Sequence, residues 1–337
     1  GNLDVGKVST IGVMLIHPIG VGIGRWYHHR LLHELQTRYQ AGSNELVVVS
    51  PDLLGSSTAC NPVMTSSSGE VLTKRKTPLL NITDWSDQLS DLMTTIEEQT
   101  TIDKWCVVTN GGCSPIALQI AADRMRRTDS NGTNGNGQSP VSNVVLSSVP
   151  RLSFFLSTSD PVKVRKSYRT LARGIVGKAF WWYSLRNDGA FILKFSERNL
   201  CAKPENLGPD WKRNCVDSAR LFGGRSRYST FSFLAGALQD GCADALATLV
   251  DSGVEIDLIR GGDPKVNRAK SWFWETPKQN QTATRSSTDD PKDQPETLRQ
   301  FLQRNGKRAR ETTIGGRISV AHEDAAGYAR ALLAFIG

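Results

Sequence analysis

Residues 105–122 read WCVVTNGGCSPIALQIAA. An apolar run with strand character, Cys106 to Val108, meets a glycine turn at Gly111 and Gly112, and an apolar stretch with helical spacing follows at once. A strand that turns this sharply into a helix raises one side chain above the end of a sheet. The residue at that tip is either Gly111, which carries no side chain, or Cys113, which carries a thiol. Which of the two stands there decides what chemistry the chain is equipped for.

Outward from this turn, Val13 to His17 (VMLIH) and Leu46 to Ser50 (LVVVS) are short apolar runs that end in turn residues, PIGVGIG and PDLLGSS respectively. Both read as buried strands. Between them, Trp26 to Tyr39 places Trp26, Leu31, Leu35 and Tyr39 at helical spacing, and Asp84 to Ile96 does the same with Trp85, Leu89, Leu92 and Ile96. Val141 to Val149 is the next strand. This alternation predicts an α/β protein: a mostly parallel sheet with helices on both faces.

Residues 128–140 (TDSNGTNGNGQSP) are of low complexity and read as a surface loop. From 151 to about 245 the strand rhythm stops and the pattern is mainly helical. It returns at Val254 to Arg260 and is interrupted by a polar stretch from Pro277 to Pro295. Arg317 to Val320 (RISV) is expected as a last short strand, and Asp324 to Ile336 as a closing amphipathic helix. The organisation that follows is 1–150 for the first part of a core, 151–245 for a helical insertion, and 246–337 for the rest of the core with a polar loop at about 277–295.

The hydrophobic content of 39% over 337 residues excludes a disordered or fibrous chain. No run approaches the ~18 consecutive apolar residues of a membrane-spanning helix, which leaves a soluble or membrane-peripheral chain. The sequence begins at Gly1, without a charged-then-apolar signal segment, a start compatible with a targeting peptide already removed. Six cysteines without paired short spacings fit neither a disulfide scaffold nor a zinc site, so a reducing compartment with no metal and no cofactor is expected.

Four landmarks carry a resemblance: LIHPIGVG (15–22), SPDLLGSS (50–57), the 105–122 turn, and IDLIRGGDPKV (256–266). In this order they resemble the α/β-hydrolase fold. The resemblance implies that the first loop, at Ile19 and Gly20, supplies an oxyanion-hole N–H together with Gly112. It further implies that the second landmark is an Asp-x-x-Gly-x-Ser turn, that Asp263 holds the position of the catalytic acid, and that 151–245 is a lid. More narrowly, HPIGVGIGRWY, PDLLG and FSFLAG look like a hydrolase-like group of cyanobacteria and plastids. That likeness implies a plastid or chloroplast location, with the cytoplasm as the alternative.

Such elbows keep small residues at the second and third positions after the nucleophile, then an apolar helix face. Counted from Gly111, those positions are Cys113 and Ser114, followed by Ile116, Leu118 and Ile120. Counted from Cys113, the second position is Pro115 and the apolar face slips by two residues, a rotation of roughly 200° around a helix. The count favours Gly111 at the nucleophile position and leaves Cys113 as the alternative nucleophile, as in the dienelactone-hydrolase type of this fold. Of five histidines, His17, His28, His29 and His33 lie near the first strand, and only His322 lies near the C-terminus. Aligned on Glu323 and the closing helix, Arg317 or Ile318 falls where the base is expected, and His322 comes four or five residues late. His322 is therefore a displaced base candidate, or a surface histidine at a helix start.

A carboxylate without a histidine cannot activate a nucleophile, because the triad works by proton transfer to the base. The expectation is a hydrolase-like fold without the Ser-His-Asp triad, acting as a binding, scaffold or assembly factor near a membrane. The alternative is a hydrolase of an apolar ester or lipid-like substrate, using Cys113 or a non-standard site, with a small apolar ligand in the cleft.

The net charge of +8 is concentrated: residues 151–230 hold 16 Lys and Arg against 6 Asp and Glu. Within them, Val164, Tyr168, Leu171, Ile175, Ala179, Trp182 and Leu185 recur every three or four residues, which predicts one continuous helix face. Lys163, Lys166, Arg169 and Arg173 lie off that face, and Trp181 and Trp182 add aromatics at its end. This pattern suits an anionic membrane surface or a membrane-protein complex, or else a lid packed over the cleft. A nucleic-acid partner is disfavoured, since no helix-turn-helix, zinc-finger or RNA-recognition signature accompanies the charge. GVGIG and NGG likewise lack the frame of a nucleotide-binding loop.

Overall fold

The computed structural model describes residues 9–39, 44–60, 79–130, 139–239, 242–263 and 296–337. Among these residues six strands form one parallel sheet: β1 (Ser9–Ile16), β2 (Asn44–Val49), β3 (Lys104–Asn110), β4 (Val141–Ser147), β5 (Glu255–Gly261) and β6 (Glu311–Ile314). Their order across the sheet is β2-β1-β3-β4-β5-β6, so the direction of strand addition reverses beside β1.

The strands β1, β3 and β4 are buried along almost their whole length because both faces of the sheet are covered. Successive residues point to opposite faces. Ile11, Val13 and Leu15 of β1 therefore join one core, where helices α1 (His29–Arg38) and α13 (Ala325–Ile336) supply Leu31, Leu35, Tyr328 and Leu332. Met14 and Ile16 join the other, with Trp85 and Leu89 from α2 (Ile82–Gln99) and Ile116 and Ile120 from α3 (Ser114–Ser130). At its start, α2 carries a reciprocal capping box between Asn81 and Asp84, which satisfies two N–H groups left open at a helix end.

Between β4 and β5 the chain runs through α4 (Leu152–Leu156), α5 (Pro161–Arg173), α6 (Ile175–Leu185), α7 (Ala190–Phe195), α8 (Asp210–Gly224), α9 (Arg227–Leu234) and α10 (Cys242–Val250). After β5 come α11 (Leu298–Arg304), β6 and the one-turn α12 (Val320–Glu323), which leads into α13.

Three expectations are corrected. Residues 317–320 form no strand: the last strand is β6, and Ser319 opens α12. The face predicted across 164–185 is not one helix. Gly174 breaks it into α5 and α6, and the phase resets there: Ile175 and Trp182, placed by spacing on the apolar face, are 85% and 65% exposed. Trp181, expected on a contact surface, is instead buried against Phe231, with ring centroids 6.0 Å apart in an edge-on arrangement. The polar stretch Pro277–Pro295 and most of the 128–140 loop lie outside the described residues.

Candidate functional site

Gly111 opens a short 3-10 turn (Gly111–Cys113) between the end of β3 and α3, and its φ of +60° lies in the left-handed region. Glycine adopts this conformation without the Cβ penalty that other residues meet. Space is not the constraint, because an added Cβ would come no closer than 3.9 Å, to the Ser148 carbonyl oxygen. The turn is held from below by Ser114, whose Oγ donates to the Gly111 carbonyl at 2.6 Å.

Cys113 lies inside the turn and is buried. Burial penalises a thiolate and pushes this thiol up to about 12, with the Ile19 backbone as a partly compensating polar neighbour. At neutral pH the sulfur is therefore protonated and packs as a small apolar group. Gly112 is buried in the same turn. The loop after β1 stands beside it: Ile19 is buried, and the Gly20 carbonyl accepts from Thr230 Oγ1 at 3.1 Å.

Asp263 follows the end of β5. Its Oδ2 lies 2.7 Å from Nε of Arg317, and both side chains are nearly buried, at 10% and 7% exposure. Arg317 is engaged from three directions. Its Nη1 donates to the Arg198 carbonyl at 2.6 Å and its backbone N–H to Glu323 Oε1 at 2.8 Å. The neighbouring carbonyl of Ile318 accepts from Asn110 Nδ2 at 3.1 Å and from Ser148 Oγ at 2.7 Å. The ends of β3 and β4 are thus tied directly to the loop that precedes α12.

His322 is not at the surface. It is buried on α12 in an aromatic box, stacked on Tyr27 at 5.9 Å and edge-on to Trp211 at 4.7 Å and Trp26 at 6.2 Å. Its Nε2 donates to the Leu207 carbonyl at 2.9 Å. Burial disfavours the imidazolium and lowers this histidine to about 4, so it is neutral at pH 7. Desolvation also lowers His17 and His28.

Two residues whose roles sequence reading left unassigned organise the turns beside the site. His17 accepts from the Leu53 N–H at Nε2 and donates to the Pro18 carbonyl at Nδ1, each at 3.0 Å, which fixes one neutral tautomer. Asp52, buried, accepts from the Arg25 N–H at 2.7 Å and from the Thr58 N–H at 3.2 Å, and so joins the two landmark loops. The signal for both was present as polar residues immediately after apolar strands. Among the described residues, no group of three or more His, Cys, Asp or Glu is placed to hold a metal ion. Two open surface hollows are bordered by Ile11, Arg38, Tyr39 and Ile336 and by Leu193, Glu205, Pro209 and Lys212, and neither is lined by the β3-α3 turn.

The sheet order, the parallel register and the β3-turn-α3 geometry are those of an α/β-hydrolase fold, and solved structures agree. The chain is similar to the epoxide hydrolase CorEH (12% identity, TM-score 0.55, 98% of this chain and 92% of that one). It is also similar to the peroxisomal alpha-beta-hydrolase Lpx1 from Saccharomyces cerevisiae (14%, 0.56, 98% and 76%) and to the haloalkane dehalogenase DbeA from Bradyrhizobium elkani (13%, 0.55, 98% and 91%). No protein-family model and no curated protein matches the chain. The protein therefore has the α/β-hydrolase fold. Identities this low carry the architecture and not the chemistry.

Proposed function

We propose that this protein works without Ser-His-Asp hydrolysis, as a binding, scaffold or assembly factor built on a hydrolase fold. The observation that carries the reading is the pairing of Asp263 with Arg317. In a triad, the acid orients a histidine and stabilises the imidazolium that forms. A guanidinium in that place is a permanent cation with no lone pair to accept a proton. Gly111 at the turn offers no nucleophile, and His322 is engaged with Leu207 inside an aromatic box.

The alternative, a hydrolase that uses Cys113, asks for a thiolate at neutral pH, and burial works against one. The plastid location has the sequence likeness as its sole support.

The test is a panel of short-chain and long-chain esters together with an active-site-directed fluorophosphonate. The expected result is turnover at the buffer rate and no covalent adduct. Turnover abolished by Cys113→Ala, or a stoichiometric adduct mapped to any residue of the β3-α3 turn, overturns the proposal.

A further inference from the structure

Helix α6 packs on α5 and on Phe231 of α9 along one side, and at its end the Tyr183 ring meets Phe191 of α7 with centroids 5.0 Å apart. Gly177 meets α5 so closely that a Cβ there would lie 1.7 Å from the Leu171 carbonyl oxygen, so this contact admits glycine alone. Trp181 packs on Phe231 from the same side, and Ser184 is buried with them, its Oγ donating to the Phe180 carbonyl. Ile175, Val176, Ala179, Trp182 and Tyr183 occupy the first, second, fifth, eighth and ninth positions of the helix, which is the spacing of a single face. All five are exposed, with Ile175 at 85%, Val176 at 64%, Trp182 at 65% and Tyr183 at 52%. An apolar helix face of this kind on a soluble-type surface marks a contact site.

The charge around it selects the partner. From Pro161 to Asn187 the chain carries Lys163, Arg165, Lys166, Arg169, Arg173, Lys178 and Arg186 and no Asp or Glu. All seven are exposed. Arg186 lies over the Trp182 ring, 5.5 Å from its centroid, so cation and indole share one position on the surface. The adjoining bend of α8 adds exposed Leu221 and Phe222, and there Gly224 lies against Trp181. Lysine is depleted from protein interfaces, whereas a strip of Trp, Tyr and branched aliphatic residues rimmed by Lys and Arg is the composition that enters the headgroup layer of a bilayer. Trp and Tyr settle there because one end of each ring is apolar and the other polar.

We infer that the exposed face of α6, rimmed by the basic residues of α5 and α6, docks this protein on a membrane bearing anionic lipids. The cations draw the protein to the negative leaflet, and Ile175, Trp182 and Tyr183 insert at the level of the headgroups. This inference stands apart from the proposed absence of hydrolysis, because none of its residues belongs to the β3-α3 turn.

The full chain is sedimented with phosphatidylcholine vesicles and with vesicles containing about one-third phosphatidylserine, at low and high salt. Binding to the anionic vesicles that is at least about tenfold stronger than to the neutral ones, and that is lost at high salt, is the expected result. The triple change Lys163→Glu, Lys166→Glu, Arg169→Glu is expected to weaken binding about tenfold or more. Trp182→Ser with Ile175→Ser is expected to weaken it with the far-ultraviolet circular dichroism unchanged, since both side chains are already in water. Equal partition onto neutral and anionic vesicles, or no partition onto either, overturns the inference. So does a self-associating protein that becomes monomeric on Trp182→Ser, because the face would then belong to a second copy of the chain.

Discussion

Arg317 Nε and Asp263 Oδ2 lie 2.7 Å apart, with 7% and 10% of their side chains exposed. The two residues are 54 positions apart in sequence and join the end of β5 to the loop before α12. Removing one partner from a buried ion pair leaves the other charge uncompensated. Asp263→Ala is therefore expected to destabilise the protein by about 3 kcal/mol in urea unfolding. Arg317→Ala should cost as much. A double variant that loses clearly less than the sum of the two would show that the cost lies in the pair.

Placing a side chain at Gly111 tests the turn. Gly111→Ser puts a non-glycine residue at φ +60°, at a cost of about 1–2 kcal/mol, with no steric clash to add to it. The variant should fold with a modestly lower Tm. It should also show no hydrolysis of p-nitrophenyl butyrate, since the Arg317 guanidinium cannot take the serine proton. Turnover in Gly111→Ser would mean that a base stands within reach.

The buried histidine sets an acid limit on stability. Burial lowers His322 to about 4, below its ordinary value of 6.5. Between those two values the unfolded chain binds a proton that the folded one refuses, so stability falls as pH falls from 6.5 toward 4. By pH 5 this residue alone should have cost about 2 kcal/mol relative to pH 7. His17 and His28 act with the same sign. Urea midpoints at pH 7 and pH 5 check this: His322→Phe should show a smaller loss between them than the parent.

Thiol accessibility separates the two readings of Cys113. Its thiol is buried and pushed up to about 12, so iodoacetamide at pH 8 should leave it unmodified in the native state and alkylate it in urea, as read by peptide mass mapping. Rapid native alkylation would place a reactive thiolate in the turn.

Adjacent tryptophans on α6 should behave oppositely. Trp181→Ala removes a buried ring packed on Phe231 and is expected to cost about 3 kcal/mol or more. Trp182→Ala changes a side chain that is 65% exposed and should leave thermal stability within about 0.5 kcal/mol.

The parallel sheet was readable because β1, β3 and β4 are buried on both faces, and such strands appear as unbroken apolar runs closed by turn residues, as at 13–17. The run at 46–50 reads the same but is the edge strand β2, which is only half-buried. The break at Gly174 was not readable. Apolar residues continue at intervals of three and four through it, and spacing alone does not register a change of axis. RISV at 317–320 looked like a strand because Ile and Val favour extended backbone. Here Arg317 and Ser319 are held instead by Glu323 and Leu200. The resemblance put Asp263 at the acid position and Arg317 or Ile318 at the base position, but the sequence did not say which of the two side chains would meet Asp263. Long-range ion pairs leave no local pattern. The burial of His322 was equally hidden, since the box around it draws on Trp26, Tyr27 and Trp211 from distant parts of the chain.

The Ile318 carbonyl, held by Asn110 and Ser148, bears on how freely side chains can be exchanged beside Asp263. Here the backbone at 318 is committed to the ends of two strands, and Arg317 beside it is clasped by Asp263, Arg198 and Glu323. An imidazole introduced at either position inherits a peptide plane oriented for other bonds. The bonds from Asn110 and Ser148 have to be kept by any such variant, because releasing either one leaves a polar group buried without a partner. A substitution at either position therefore starts from a backbone that its neighbours have already fixed, and its cost is set by bonds that belong to other residues.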